Sequence, residues 1–147
     1  MGKEKTRATV NANEWETLGP TFTVNGQKRR DSFCRVYDSL LLSDAFKDLS
    51  PRQKVLLISM ASQQFGHRKP ERVYPDNPSV HGEAFFFFSW RDAQLYGLYP
   101  ASCSSAFYKD MNVLIEHGFI KKAVSGKATH TKNILEFIPD WKNWNPP

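Results

Sequence analysis

Apolar and polar positions divide the chain near residue 32. Residues 1–32 are mostly polar, are broken by Gly19, Pro20, Asn25 and Gly26, and end on the basic cluster Lys28, Arg29, Arg30. That pattern predicts a flexible basic N-terminal arm, or at most a loose hairpin. From Phe33 apolar residues become frequent. Val36, Tyr37, Leu40, Leu41 and Leu42 predict a short strand or extended lead-in, and Ser43 to Leu49 a short helical turn. Ser50-Pro51-Arg52-Gln53 then reads as a helix start, with Ser50 as N-cap, Pro51 in the first turn and Gln53 closing a capping box. The helix is expected to run to about Gln64. Val55, Leu56, Leu57, Ile58 and Met60 make it apolar nearly all round, which places it in the middle of the core.

Residues 65–83 hold Gly66, Pro70, Pro75, Pro78 and Gly82, and this density of breakers predicts a long loop. Phe85 to Phe88 follow as a short aromatic strand. Alternation puts two of the four rings on each face, so they fill core rather than form a stacking platform. Ser89-Trp90-Arg91-Asp92 is a second capping box and opens a helix ending near Gly97. After the turn Leu98-Tyr99-Pro100, helical periodicity runs from Ala101 to His117. Cys103, Phe107, Met111, Leu114 and Ile115 form an inward stripe; Ser102, Ser105, Lys109, Asn112 and Glu116 point away, with Ser104 and Tyr108 on a flank. Gly118 is placed to cap this helix. Phe119 to Val124 and Ile134 to Ile138 predict a hairpin with a basic tip, Ser125 to Lys132. Residues 139–147 form a tail carrying Trp141 and Trp144. The expected organisation is an arm over 1–32, one domain over 33–138 and an aromatic tail over 139–147.

Composition narrows the choice of partner. The 147 residues suit one ordinary domain, and a net charge of +5 favours an acidic partner. Cys34 and Cys103 lie far apart and show neither metal-site spacing nor the density of a disulfide scaffold, which fits a cytoplasmic protein. No apolar run reaches the roughly 18 residues that cross a bilayer, so no membrane is expected. His67, His81, His117 and His130 are scattered, and no nucleophile motif or glycine-rich phosphate loop is present. Glu116 and His117 are sequence neighbours and point in different directions on a helix. Catalysis, a metal and a cofactor are therefore not expected.

From Ser50 onward the predicted order is helix, loop, strand, helix, tight turn, helix, hairpin. That is the order of a winged helix-turn-helix, a mainly α fold with a small β hairpin (α+β). In such a fold the second helix of the pair enters the major groove of DNA and the hairpin reaches the neighbouring backbone. Arg91, near the start of the first helix, is a candidate phosphate contact. Lys121 and Lys122 suit a phosphate contact and edge-strand protection equally.

The segments "LSPRQKVLLISMASQQ" and "FFFFSWRDAQLYGLYPASCSSAFYKDMNVLIEHGFIKKAVSGK" resemble the winged-helix domain of plasmid and phage replication initiators and related mobile-element regulators. The likeness spans about Leu41 to Ile138. It implies that Ser102, Ser104, Ser105, Tyr108, Lys109 and Asn112 face DNA and that Lys127, His130 and Lys132 sit on the wing. The expected function is sequence-specific binding of double-stranded DNA, as a regulator or accessory replication protein of a mobile element, without an enzymatic centre. A homodimer on two half-sites is compatible with this. The alternative is a protein-docking module, using the 65–83 loop or the C-terminal tail as its partner surface.

Overall fold

The computed structural model describes residues 19–65, 69–127 and 131–147. The chain forms two compact units, Met1–Phe33 and Cys34–Pro147, in a mixed α+β arrangement of six α-helices and two small sheets among the described residues.

In the first unit β1 (Thr21–Val24) pairs antiparallel with β2 (Gln27–Arg30), Val24 lying opposite Gln27. Asn25 and Gly26 connect them with φ of 49° and 74°. Two successive positive φ values define the tight turn whose twist suits a hairpin, and Asn-Gly is the pair that adopts it most readily. This part of the expected arm is thus an ordered two-stranded hairpin, because the turn chemistry outweighs the low hydrophobicity around it. Residues 1–18 lie outside the described residues.

The second unit opens with α1 (Asp38–Leu41), where a strand or extended lead-in was the expectation. Apolar runs this short do not distinguish strand from helix. Next comes α2 (Asp44–Lys47), whose first turn is capped by the Ser43 hydroxyl accepting from the Phe46 N–H at 3.2 Å. In α3 (Pro51–Ala61) both halves of the capping box form: Gln53 N–H donates to Ser50 Oγ at 3.2 Å, and Ser50 N–H to Gln53 Oε1 at 2.9 Å. The helix is amphipathic rather than buried all round, with Leu56, Leu57 and Met60 inside and Val55 exposed. Its end tightens to a 3₁₀ turn over Ser62–Phe65.

The expected long loop contains a helical turn, α4 (Pro70–Val73), and a 3₁₀ turn, Pro78–Val80. Both open on a proline. At the first helical position proline's missing N–H costs nothing and its φ is already suited, so residues read as breakers here start helical turns. The Lys69 side chain is buried, and its ammonium donates to the carbonyls of Glu83 and Phe85. Burial pushes its pKa down, with Glu71 and Glu83 opposing. The segment thereby covers one face of the sheet.

That sheet has the order β3-β5-β4, all antiparallel: β3 (Phe85–Phe86), β5 (Ile134–Phe137) and β4 (Ile120–Val124). Successive side chains point to opposite faces. Phe86, Phe88, Ile120 and Leu135 join the main core with Leu56, Met60, Phe107 and Leu114, whereas Phe87 and Ile134 meet Val80 on the other face. Helices cover one face and the proline-rich segment the other. Between β3 and β4 stand α5 (Trp90–Leu95), capped by a Ser89/Asp92 box, and α6 (Ser104–Glu116). The final helix starts at Ser104 and not at Ala101, because Cys103 N–H closes a turn onto the Pro100 carbonyl at 3.0 Å and Cys103 itself is non-helical at φ −110°, ψ 43°.

Past α6, Gly118 holds φ +80°, and a Cβ there would lie 2.7 Å from the Asp140 Cβ. This close approach docks the 3₁₀ turn Asp140–Asn143 of the tail, whose Trp141 stacks on Phe119 at 6.0 Å, with Trp144 on His117 at 4.5 Å. No helix among the described residues is long and apolar enough to cross a membrane.

Candidate nucleic-acid interface

The candidate surface is built on α6. Phe107, Asp110, Met111 and Leu114 face inward, while Ser104, Ser105, Tyr108, Lys109, Asn112 and Glu116 are exposed. At 100° per residue the six exposed positions fall within an arc of about 140°. Ser102 is exposed as well but belongs to the turn before the helix. Cys103 supplies no side-chain cap; its carbonyl takes the Ala106 N–H at 3.2 Å, and among the described residues the N–H groups of Ser104 and Ser105 remain open. Such groups donate readily to phosphate. Glu116 would repel phosphate, which confines an anion-facing surface to the N-terminal three turns.

A buried carboxylate fixes the helix in place. Asp110 accepts from Tyr99 Oη at 2.6 Å, Arg52 Nε at 2.8 Å and Gln53 Nε2 at 3.0 Å. The Arg52 guanidinium also lies 4.7 Å from the centre of the Tyr99 ring. Gln53 therefore serves two ends, its oxygen capping α3 and its amide holding α6. Burial alone would raise the Asp110 pKa, but the hydrogen bonds from Tyr99, Gln53 and Arg52 outweigh it and hold the carboxyl below its usual range. In turn burial, reinforced by the hydrogen bond to Asp110, raises the Tyr99 phenol. The sequence carried a signal for this node: position 110 is three after Phe107 and four before Leu114, on the inward stripe.

The β4–β5 hairpin stands beside α6, and between them lies a cleft of about 390 Å³ lined by Tyr108, Trp90, Ser89, Lys122, Lys127, Lys132 and Asn133, with Phe88 and Phe107 at its base. The hairpin tip is pinned by Gly126 N–H donating to Asn133 Oδ1 at 2.8 Å, and by Thr131 N–H donating to the Gly126 carbonyl at 3.0 Å. Lys121 pairs with Glu136 at 3.3 Å. Among the described residues, Lys122, Lys127, Lys132, Lys109 and Arg91 form no ion pair.

Tyr108, Lys127 and Lys132 are thus brought together around one cleft, while Ser104, Ser105, Lys109 and Asn112 share the open face of α6. Arg91 is exposed on α5 and does not line the cleft, and His130 lies outside the described residues. Lys122 and Asn133 reach the cleft because the hairpin folds back beside α6, and Trp90 reaches it from the first turn of α5; the sequence offered Lys122 as a phosphate contact but not its place beside Tyr108. His117 is engaged elsewhere: its Nδ1 meets the Val113 carbonyl at 2.8 Å and its Nε2 the Asp48 carboxylate at 2.8 Å. Among the described residues no group of three or more His, Cys, Asp or Glu is placed to hold a metal. Compared with protein-family models, curated proteins and solved structures, the chain matches none.

Proposed function

We propose that this chain is a winged helix-turn-helix protein that binds duplex DNA, with α5 and α6 as the helix pair, α6 in the major groove and the β4–β5 hairpin as the wing. The observation that carries the reading is the pairing of two surfaces: a helix face bearing Ser104, Ser105, Lys109 and Asn112, and next to its flank a hairpin with three lysines that have no carboxylate partner. A major groove about 12 Å wide admits one helix, and free lysines at its edge meet backbone phosphate. The element order from α3 to β5 and the strand order β3-β5-β4 support the same reading. Its role is sequence-specific control of transcription or replication on a mobile element, in the cytoplasm and without chemistry of its own. The double variant Lys109→Ala, Asn112→Ala tests the groove helix. Loss of sequence discrimination is expected; unchanged affinity and specificity would remove α6 from the interface.

One observation favours a second reading, docking to another protein. An apolar groove of about 240 Å³ lies between Tyr37, Leu40, Leu57, Phe137, Ile138 and Trp141, at the aromatic tail. Partner capture that survives nuclease treatment would support it.

A further inference from the structure

The cleft between α6 and the hairpin has a make-up that duplex backbone alone does not require. Contact with a duplex phosphate needs a lysine or an N–H group at the surface. Here a concave space of about 390 Å³ has Tyr108 on one side, half-buried Trp90 beside it, and Lys122, Lys127 and Lys132 along its hairpin wall. That volume lies within the roughly 300–1,000 Å³ of small-molecule sites, and an aromatic flank beside unpaired cations is the combination that holds a single nucleotide, ring against base and ammonium against phosphate. Tyr108 is the exposed end of a ring series: its ring meets that of Phe107 at 5.1 Å, and Phe107 meets Trp90 at 5.8 Å. The buried members hold the exposed one in position. Tyr108 is 53% exposed, so its ring retains surface for a base.

We infer that this cleft takes one unpaired nucleotide next to the duplex, so that the protein's preferred ligand is a junction between double- and single-stranded DNA. The base stacks on Tyr108 and Trp90, and its phosphate lies on Lys122, Lys127 and Lys132. This inference rests on the duplex-binding reading and deepens it, since a paired base would first have to be unpaired and unstacked to fill the cleft, whereas an unpaired one carries no such cost.

The test compares, by fluorescence anisotropy, a blunt duplex, the same duplex with a short single-stranded overhang, and the overhang strand alone. The junction should bind about tenfold more tightly than the blunt duplex, the effect expected of one stacked base. In Tyr108→Leu the ratio of the two affinities should collapse towards one. As an independent readout on the unaltered protein, 2-aminopurine at the unpaired position should be quenched on binding. Equal affinity for junction and blunt duplex, with no quenching, would overturn the cleft assignment and leave duplex binding intact. Binding of the overhang strand with none of the blunt duplex would support the cleft assignment and remove the duplex reading.

Discussion

Replacing Asp110 by Asn keeps the size and shape of the side chain and removes its charge, so it isolates the node that seats α6. The carboxylate now accepts three hydrogen bonds, of 2.6, 2.8 and 3.0 Å. An Asn oxygen can serve Tyr99 and Arg52, but its amide then faces the Gln53 amide, donor against donor. Gln53 cannot simply turn over, because its oxygen holds the Ser50 N–H at 2.9 Å in the capping box. Hydrogen bonds to a charged group contribute about 1.5–3 kcal/mol against about 0.5–1.5 for neutral pairs. The Arg52 side chain is 45% exposed and can turn to water, so its share is small. The loss therefore falls on Tyr99, which is buried, and on Gln53, and amounts to about 2–3 kcal/mol. For a unit of this size the midpoint of thermal unfolding should fall by roughly 10 °C.

The same node sets a pH dependence. Because the folded-state pKa of Asp110 is depressed, its contribution is present above the unfolded value of about 4 and is lost as pH falls through the folded value. The stability gap between the wild-type chain and Asp110→Asn should be constant from about pH 5 to 8 and shrink below about pH 4. Urea unfolding followed by tryptophan fluorescence measures both. A gap under about 0.5 kcal/mol at pH 7, or one that does not narrow in acid, would refute the assignment of Asp110 as the charged anchor of the helix.

Two further outcomes follow from particular contacts. Gly118→Ala combines an unfavourable positive φ with a 2.7 Å approach to the Asp140 Cβ, so it should cost about 2 kcal/mol or more and release the tail, read as a red shift of Trp141 and Trp144 emission. Lys127→Ala and Lys132→Ala should each reduce the salt slope of duplex binding by about one, whereas Lys47→Ala, an exposed cation on α2 that lines no part of the cleft, should leave it unchanged.

The readable parts of this sequence were those in which local chemistry decides the outcome. Both capping boxes form at Ser50/Gln53 and Ser89/Asp92, and Phe107, Met111 and Leu114 turn inward as their spacing implies. Prolines misled the reading over 65–83: Pro70 and Pro78 sit at the one helical position that tolerates them, and what makes the segment a cover for the sheet is tertiary, the burial of Lys69 and Val80. The lead-in at Val36 to Leu42 was ambiguous for the opposite reason, an apolar run too short to carry a period. The exposed face of α6 followed from the helical period, whereas the cleft required knowing that Lys122 and Asn133 return beside Tyr108. Asp110 shows the remaining gap. A charged residue on an apolar stripe is explained only by its partners, which lie 57, 58 and 11 positions away in Gln53, Arg52 and Tyr99.

The most direct test of the account is equilibrium binding of the full chain to duplex DNA, single-stranded DNA and duplex RNA across a salt series, read by fluorescence anisotropy. With Arg91, Lys109, Lys122, Lys127 and Lys132 free to meet phosphate, duplex DNA should bind more tightly than duplex RNA, and the logarithm of its binding constant should fall linearly with that of salt concentration, with a slope of about −4.5. Negligible binding to all three at low salt would contradict the account and leave the apolar groove at the aromatic tail as the functional surface.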